Sequence, residues 1–261
     1  MARSCSGWST ANYFSRADAA LTVEPLTLFC WWLGTGFSTS MRLVTLAHAT
    51  GSGLFAMELP GATAGDPLRA RTTDDVGAGG LAGSSTNAPT GWHMGAARFP
   101  ATSSRQVYWG NSGTALNSGT SSAASGTVTI GTQAVGVVLT GTAASPWVGS
   151  LALPTIWNVS LSVEELTALK NGVHPARIRP KNIVRAWWNP TAGSRLVDFS
   201  GGANNLSLTG TVTDDAFGPP VEPYPFSYPL PWMSNSPEIG VAAGGLSIPV
   251  AMHQYRRQRA A

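Results

Sequence analysis

Residues 147–172, WVGSLALPTIWNVSLSVEELTALKNG, decide the architecture of this chain. Leu151, Leu153, Ile156 and Trp157 mark an apolar, alternating segment that reads as a strand, with Pro154 interrupting it. A short amphipathic helix follows at once. Ser162 stands at its N-cap, and Glu164 and Glu165 fall in the first turn, where the helix dipole favours negative charge. Leu161, Leu166 and Leu169 supply one apolar face, Lys170 sits in the last turn, and Gly172 stops the helix. No other stretch reads so clearly as a helix. In a chain otherwise made of strands and turns, one capped helix is expected to act as a packing lid.

Working outward, the composition agrees with an all-β chain. The 261 residues include 30 Gly and 18 Pro, and only 11% are charged. That balance suits short strands joined by tight turns, and the length allows one large β domain or two small ones with a buried core. Strands are expected at Leu26–Leu33, Met41–Ala47, Leu54–Leu59, Leu68–Thr72, Trp92–Phe99, Arg105–Gly110, Thr127–Ile130 and Val135–Leu139. The Gly/Ala/Ser stretch 77–90 reads as a loop, and Pro100–Ser104 as the turn of a hairpin. Several of the ten Trp, among them Trp31, Trp32, Trp109, Trp187 and Trp188, lie in strand-like runs and belong to the core or a sheet face. Such spacing predicts two sheets sharing one core.

The charge pattern excludes a nucleic-acid-binding body. The net charge is +3, but setting aside Arg256, Arg257 and Arg259 leaves 13 basic against 13 acidic residues, so the excess belongs to the tail. That tail is either solvated or held by an acidic partner. Cys5 and Cys30 do not make a disulfide framework, and Cys30, within LTLFCWWLG, reads as a small buried hydrophobe. No apolar run reaches membrane-spanning length and MARSCSGWST lacks a signal-type hydrophobic stretch, so neither a membrane anchor nor general secretion is expected.

After the helix, residues 173–216 offer a strand around Ile183–Trp188 and two strand-like pieces about the Gly201–Asn205 turn, placed on or completing the sandwich. From residue 217 the character changes. GPPVEPYPFSYPLPW crowds prolines among aromatics, which favours an extended, polyproline-like path with few sheet hydrogen bonds. Residues 217–261 therefore read as an arm that needs another surface, with Tyr224, Phe226, Tyr228, Trp232 and Tyr255 as its anchors and Arg256, Arg257 and Arg259 as its basic end.

Three motifs carry a resemblance. Gly149-Ser-Leu-Ala-Leu-Pro-Thr-Ile-Trp157-Asn158 followed by Leu161-Ser162 and Glu164-Glu165-Leu166 is similar to the closing strand and helix of concanavalin A-like, laminin-G-like jelly rolls. Gly91-Trp92-His93-Met94-Gly95-Ala96 and Val107-Tyr108-Trp109-Gly110-Asn111 resemble two upstream strands of that family, the second with its usual Asn-Gly order inverted. Pro25-Leu-Thr-Leu-Phe-Cys-Trp31 resembles a third. The likeness covers about residues 10–172. It implies an all-β, two-sheet jelly-roll sandwich with one short helix and an extended C-terminal arm. Residues 183–210 and Ile248–Tyr255 with its arginines resemble segments of phage virion proteins.

The resemblance also frames the chemistry. Some jelly rolls of this superfamily are glycoside hydrolases with paired acids on one strand, but none of Glu24, Glu58, Glu164, Glu165, Glu222 and Glu238 lies in such a pattern. No histidine has a G-x-S-x-G context or zinc spacing, and His93 reads as a satisfied sheet residue. Asp74 and Asp75, with Asp66 nearby in sequence, are the candidates for a loop-rim Ca²⁺, against a solvated turn. Asp214 and Asp215 are expected to serve a turn. Trp109, Asn111 and Asn117 are the candidates for a lectin-type glycan site. The expected function is a non-enzymatic structural component of a phage virion, either decorating the head or associated with the tail, assembled in the host cytoplasm. Its expected partners are other virion proteins and copies of itself, with no nucleic acid and no membrane. The alternative is a carbohydrate-binding module that attaches to host or environmental glycans.

Overall fold

A computed structural model of the chain describes residues 4–18, 23–36, 39–61, 63–86, 90–188, 197–200, 202, 204–215 and 218–222. The arm anchors Tyr224, Phe226, Tyr228, Trp232, Tyr255, Arg256, Arg257 and Arg259 lie outside the described residues. In chain order the first strands are β1 (Ser4–Ser6), β2 (Tyr13–Arg16), β3 (Leu26–Gly34), β4 (Met41–Ala47), β5 (Leu54–Leu59) and β6 (Leu68–Thr73). Then come β7 (Gly79–Ser84), β8 (His93–Ala101), β9 (Ser104–Gly110), β10 (Asn117–Ser121), β11 (Thr132–Val135), β12 (Val138–Thr140) and β13 (Thr142–Ala144). The last are β14 (Gly149–Trp157), the helix α1 (Val163–Lys170), β15 (Ile183–Trp188), β16 (Val197–Asp198), β17 (Ser207–Thr209) and β18 (Thr213–Asp215).

These strands build a two-sheet antiparallel sandwich, a concanavalin A-like jelly roll. One sheet runs β10-β9-β8-β3-β14-β1-β18, with β15 following β1 along the same edge of β14 and β16 pairing β15. The other runs β17-β2-β11-β4-β5-β6-β7. The stretch after α1 thus contributes to both sheets, and β18 closes against β1 near the chain's start. No helix among the described residues is long and apolar enough to cross a membrane.

The continuous apolar run of β3 is explained by burial on both sides. Leu28, Cys30 and Trp32 point into the core between the sheets, while Phe29 and Trp31 join a second apolar layer on the outer side. Trp31, Trp32, Trp147, Trp157 and Trp187 are fully buried, and burial pushes the Cys30 thiol pKa well up. In β14 the inward positions change parity, from Leu151 to Ile156, across an irregularity between Ala152 and Thr155. Leu153 has φ +53° there, and Pro154, which lacks an N–H, is lifted out of the ladder.

Helix α1 seals the second layer with Leu161, Leu166 and Leu169. Its start is a full capping box: Ser162 Oγ accepts from the Glu165 N–H at 3.3 Å, and Glu165 accepts from the Ser162 N–H at 2.7 Å. Gly172 ends the helix at φ +92°.

Three expectations are corrected. Residues 79–84 form the edge strand β7 rather than a loop. Two of its glycines are required by proximity, because a Cβ on Gly79 would lie 2.0 Å from the Thr72 carbonyl oxygen and one on Gly80 would lie 2.7 Å from the Ala123 side chain. Residues 127–130 are not a strand, although Val128 and Ile130 still reach the core. Asp214 and Asp215 lie on β18, not in a turn, and Asp215 accepts hydrogen bonds from Ser6 at 3.1 Å and Ser150 at 2.8 Å.

Candidate functional site

The register of β9 and β10 places Asn117 directly opposite Trp109, so both side chains share one face. Trp109 is half-buried, its Nε1–H donates to Ser84 Oγ at 3.2 Å, and its ring centroid lies 5.6 Å from that of His93. His93 stacks onward to Trp32 at 5.6 Å. Asn111 Nδ2 donates to His93 Nε2 at 3.1 Å, which makes Nδ1–H the donor to the Gly91 carbonyl at 3.2 Å. Burial holds the His93 pKa below its ordinary value and the bond to Gly91 pushes the other way. The neutral ring therefore serves as a spacer between two indoles. Asn111 also accepts the Gly113 N–H, so both ends of its amide are used within the protein. Among the described residues the Asn117 side chain makes a single long bond, 3.4 Å to the Ala115 carbonyl. Of the three predicted glycan residues, Trp109 and Asn117 form a partly exposed rung on the inward face of the β9–β10 edge, where Trp109 packs against the core between the sheets and reaches Ser84 of the other sheet, and Asn111 braces His93 beside it.

The acidic candidates do not come together. Asp66 and Asp74 lie at opposite ends of β6, on the order of 20 Å apart by strand rise. Asp74 is buried, and its carboxylate accepts N–H groups from Val76, Ala78 and Gly126. Asp75 accepts the Thr129 hydroxyl at 2.6 Å and the Thr129 N–H at 2.9 Å, and these two bonds lower its pKa. Oxygens surrounded by hydrogen-bond donors present the wrong surroundings for Ca²⁺, which needs converging oxygens. The residues do not fit the ion. Among the described residues, no three His, Cys, Asp or Glu side chains are grouped to hold a metal.

Other carboxylates are similarly engaged. Asp198 accepts four donors, from Ala186, Ser200 (twice) and Asn204, and so shapes the turn after β16. Glu165 caps α1 and pairs with Arg179, and Glu222 pairs with Arg177 at 2.9 Å. The last pair belongs to residues 218–222, which lie across the end of α1. There Val221 enters the outer apolar layer and the Glu222 N–H donates to the Gly172 carbonyl at 2.9 Å. Beside it, His174 caps the 3₁₀ turn 175–177 through Nδ1, which accepts the Ala176 N–H at 3.2 Å. Burial, aided by Arg177, pulls its pKa down to about 4.

Sequence reasoning missed one cluster entirely. On the outer face of the seven-stranded sheet, Arg42 (β4), Glu58 (β5) and Arg69 (β6) occupy one row, and Arg71 lies one row along. Glu58 is 1% exposed and pairs with Arg42 and, at 3.8 Å, with Arg71. Single charges inside the apolar strands RLVTLA and AMEL, and the i, i+2 arginines of RART, were the available signal, but only strand register makes them neighbours.

The sequence matches no family model and no curated protein sequence. Among solved structures, the chain is similar to a protein of Bacteroides ovatus assigned provisionally to carbohydrate binding, with 15% identity and a TM-score of 0.60. That likeness covers 85% of this chain and 62% of the Bacteroides protein, so this chain spans less than two thirds of its length. A serum amyloid P-like pentraxin of Limulus polyphemus aligns with TM-score 0.51 and 13% identity over 65% of this chain and 82% of its own. The enzymatically active domain of tailspike protein 2 of bacteriophage CBA120 aligns with TM-score 0.50 and 10% identity, over 69% of this chain and 29% of its own. At such identities the likeness shows the fold: a jelly-roll, concanavalin-like sandwich.

Proposed function

We propose that this chain is a non-catalytic binding module whose jelly roll recognises a saccharide at the Trp109–Asn117 rung. The observation that carries the reading is a half-buried indole fixed on two sides, by Ser84 and His93, with an amide across the rung. A rigid aromatic supplies a stacking platform at little entropy cost, and the adjacent amide offers both donor and acceptor to sugar hydroxyls. The provisional carbohydrate-binding assignment of the Bacteroides neighbour supports the same class. The absence of catalysis is supported by the engagement of Glu58, Asp74, Asp75, Asp198 and Glu165 in structural pairs and caps.

A second reading has its own support. Residues 218–222 are docked at the end of α1, and the Pro/aromatic sequence that follows suits attachment to other virion proteins or to copies of this chain. On that reading the module is a virion component, and the saccharide site serves particle attachment.

The test is a glycan array probed with the full chain, followed by calorimetry on any saccharide captured. Trp109→Ala is expected to weaken binding at least about tenfold, and Asn117→Ala to weaken it with an unchanged melting temperature. EDTA is expected to leave the affinity unchanged. An array with no saccharide captured, or binding indifferent to both substitutions, sinks the reading.

A further inference from the structure

The outer face of the seven-stranded sheet holds more positive charge than its one buried acid neutralises. Glu58 is fully buried, and Arg42 lies opposite it at 8% exposure. Arg71 reaches the same carboxylate from β6, while its Nε–H donates to Thr73 at 3.2 Å. The Arg69 side chain makes no hydrogen bond or ion pair among the described residues, and its stem passes over Gly83 of β7. Two guanidinium groups thus meet one carboxylate and a third, that of Arg69, shares the face with them, a local excess of two charges. An ion-pair network built for stability would alternate its signs. Here the cations are near enough to one another that Arg71 and Arg69 both depress the pKa of Arg42, behind the larger effect of burial and against Glu58. Buried Arg42 Nε also lacks a hydrogen-bond acceptor.

The steric layout leaves this charge accessible on one side. The hairpin β12–β13 covers the β4 side, with Val138 and Ala144 packed on Ala47, Leu54 and Ala56. On the β7 side the outward positions in register with Thr73, Arg71 and Arg69 are Gly79, Leu81 and Gly83, so β7 itself sets nothing longer than a leucine beside the arginines. Arg69 and Arg71 stand two residues apart on one strand, about 7 Å between side-chain origins. Two guanidinium forks at that spacing can converge on a single oxyanion. Leu81, 46% exposed, offers an apolar rest beside them.

We propose that Arg69 and Arg71, backed by the Arg42–Glu58 pair, form an oxyanion-binding bay whose ligand is the carboxylate or sulfate of an acidic saccharide. The oxyanion assignment stands on charge and register alone; its attachment to a saccharide rests on the proposed function above. Glu58 is the floor of the bay. It holds Arg42 and Arg71 apart from each other and leaves the Arg69 fork for the ligand.

The full chain would be titrated with inorganic sulfate, an oligogalacturonate, a sulfated galactan oligomer and a neutral galactan oligomer, following the arginine Nε–H resonances and the heat of binding. Either acidic oligomer is expected to bind at least tenfold more tightly than the neutral one and to shift the Arg69 resonance. Arg69→Gln is expected to remove that preference, Arg69→Lys to restore part of it, and raised ionic strength to weaken it. Whichever acidic oligomer binds identifies carboxylate or sulfate as the group read. Sulfate binding that depends on Arg69 without acidic-saccharide binding upholds the bay and overturns the saccharide. Equal binding of acidic oligomers to the wild type and to Arg69→Gln overturns the bay. If neutral binding lost only in Trp109→Ala accompanies that result, the proposed function survives the loss of this one.

Discussion

The outer faces of the two sheets have opposite characters. On the nine-stranded sheet Phe29, Trp31, Met94 and Trp157 face outward, and α1 with Val221 buries them. On the seven-stranded sheet the outward rows carry Arg42, Glu58, Arg69 and Arg71, and the small β12–β13 hairpin packs beside them on Ala47, Leu54 and Ala56. The covered face gains stability from apolar area removed from water and needs no partner. The charged face gains much less, because exposed ion pairs contribute little and its like charges oppose one another. The contrast separates an apolar face consumed by folding from a charged face that folding does not consume.

The sharpest way to break that contrast is to disturb the one element of the charged face that is buried. Glu58→Gln leaves Arg42 without its counter-ion, and the loss is expected to be about 3–5 kcal/mol by urea unfolding. Arg71→Gln, on the exposed side of the same cluster, should cost under about 1 kcal/mol. A Glu58→Gln cost no larger than that of Arg71→Gln would show that the charged face has no buried foundation.

The covered face should respond to acid through His174. Its pKa in the folded protein is about 4 against an ordinary 6.5, so between those values the unfolded chain binds a proton that the folded chain refuses. Stability therefore rises with pH across that window and is lost as pH falls, by about 2 kcal/mol from pH 7 to pH 5. His174→Asn keeps a cap acceptor and should remove that slope between pH 5 and 6.5, measured as unfolding free energy against pH. An unchanged slope would mean that the ring titrates normally and that this end of the covered face is open to water.

The smallest effect tests the lid itself. Ser162→Ala removes one half of the capping box and should cost about 1 kcal/mol. Hydrogen exchange in the first turn of α1 should quicken while β4 to β6 stay protected. Equal loosening of both sheets would tie the lid to the whole sandwich.

Much of the covered face was legible in sequence because its signals are local. The doubly buried run LTLFCWWLG, the Ser162/Glu165 box and the Gly172 stop each sit within a few adjacent residues. The charged face was illegible for the opposite reason. Arg42, Glu58 and Arg69 belong to three strands, and the irregularity between Arg42 and Val44 is what sets Arg42 opposite Glu58. β7 was hidden by its glycines, whose meaning depends on how closely Thr72 and Ala123 approach Gly79 and Gly80. Asp74 and Asp75 resembled metal ligands until the N–H groups of residues far along the chain were seen to occupy them. Trp109 and Asn117 were found together because a hairpin brings near neighbours into register.

The antiparallel pairing of β1 with β18 also has a mechanical consequence. Ser4 pairs with Asp215 and Ser6 with Thr213, so the backbone before Ser4 and the backbone after Asp215 leave the sheet at the same end of this ladder. Tension applied across those two points would open the pairs one at a time, as a zipper does, rather than load them together in shear. Force transmitted along the C-terminal segment is met first by Val221 and by the Glu222 bonds to Gly172 and Arg177, which tether residues 218–222 to the end of α1. That docking is a strain relief, holding the weak zipper slack until the tether lets go.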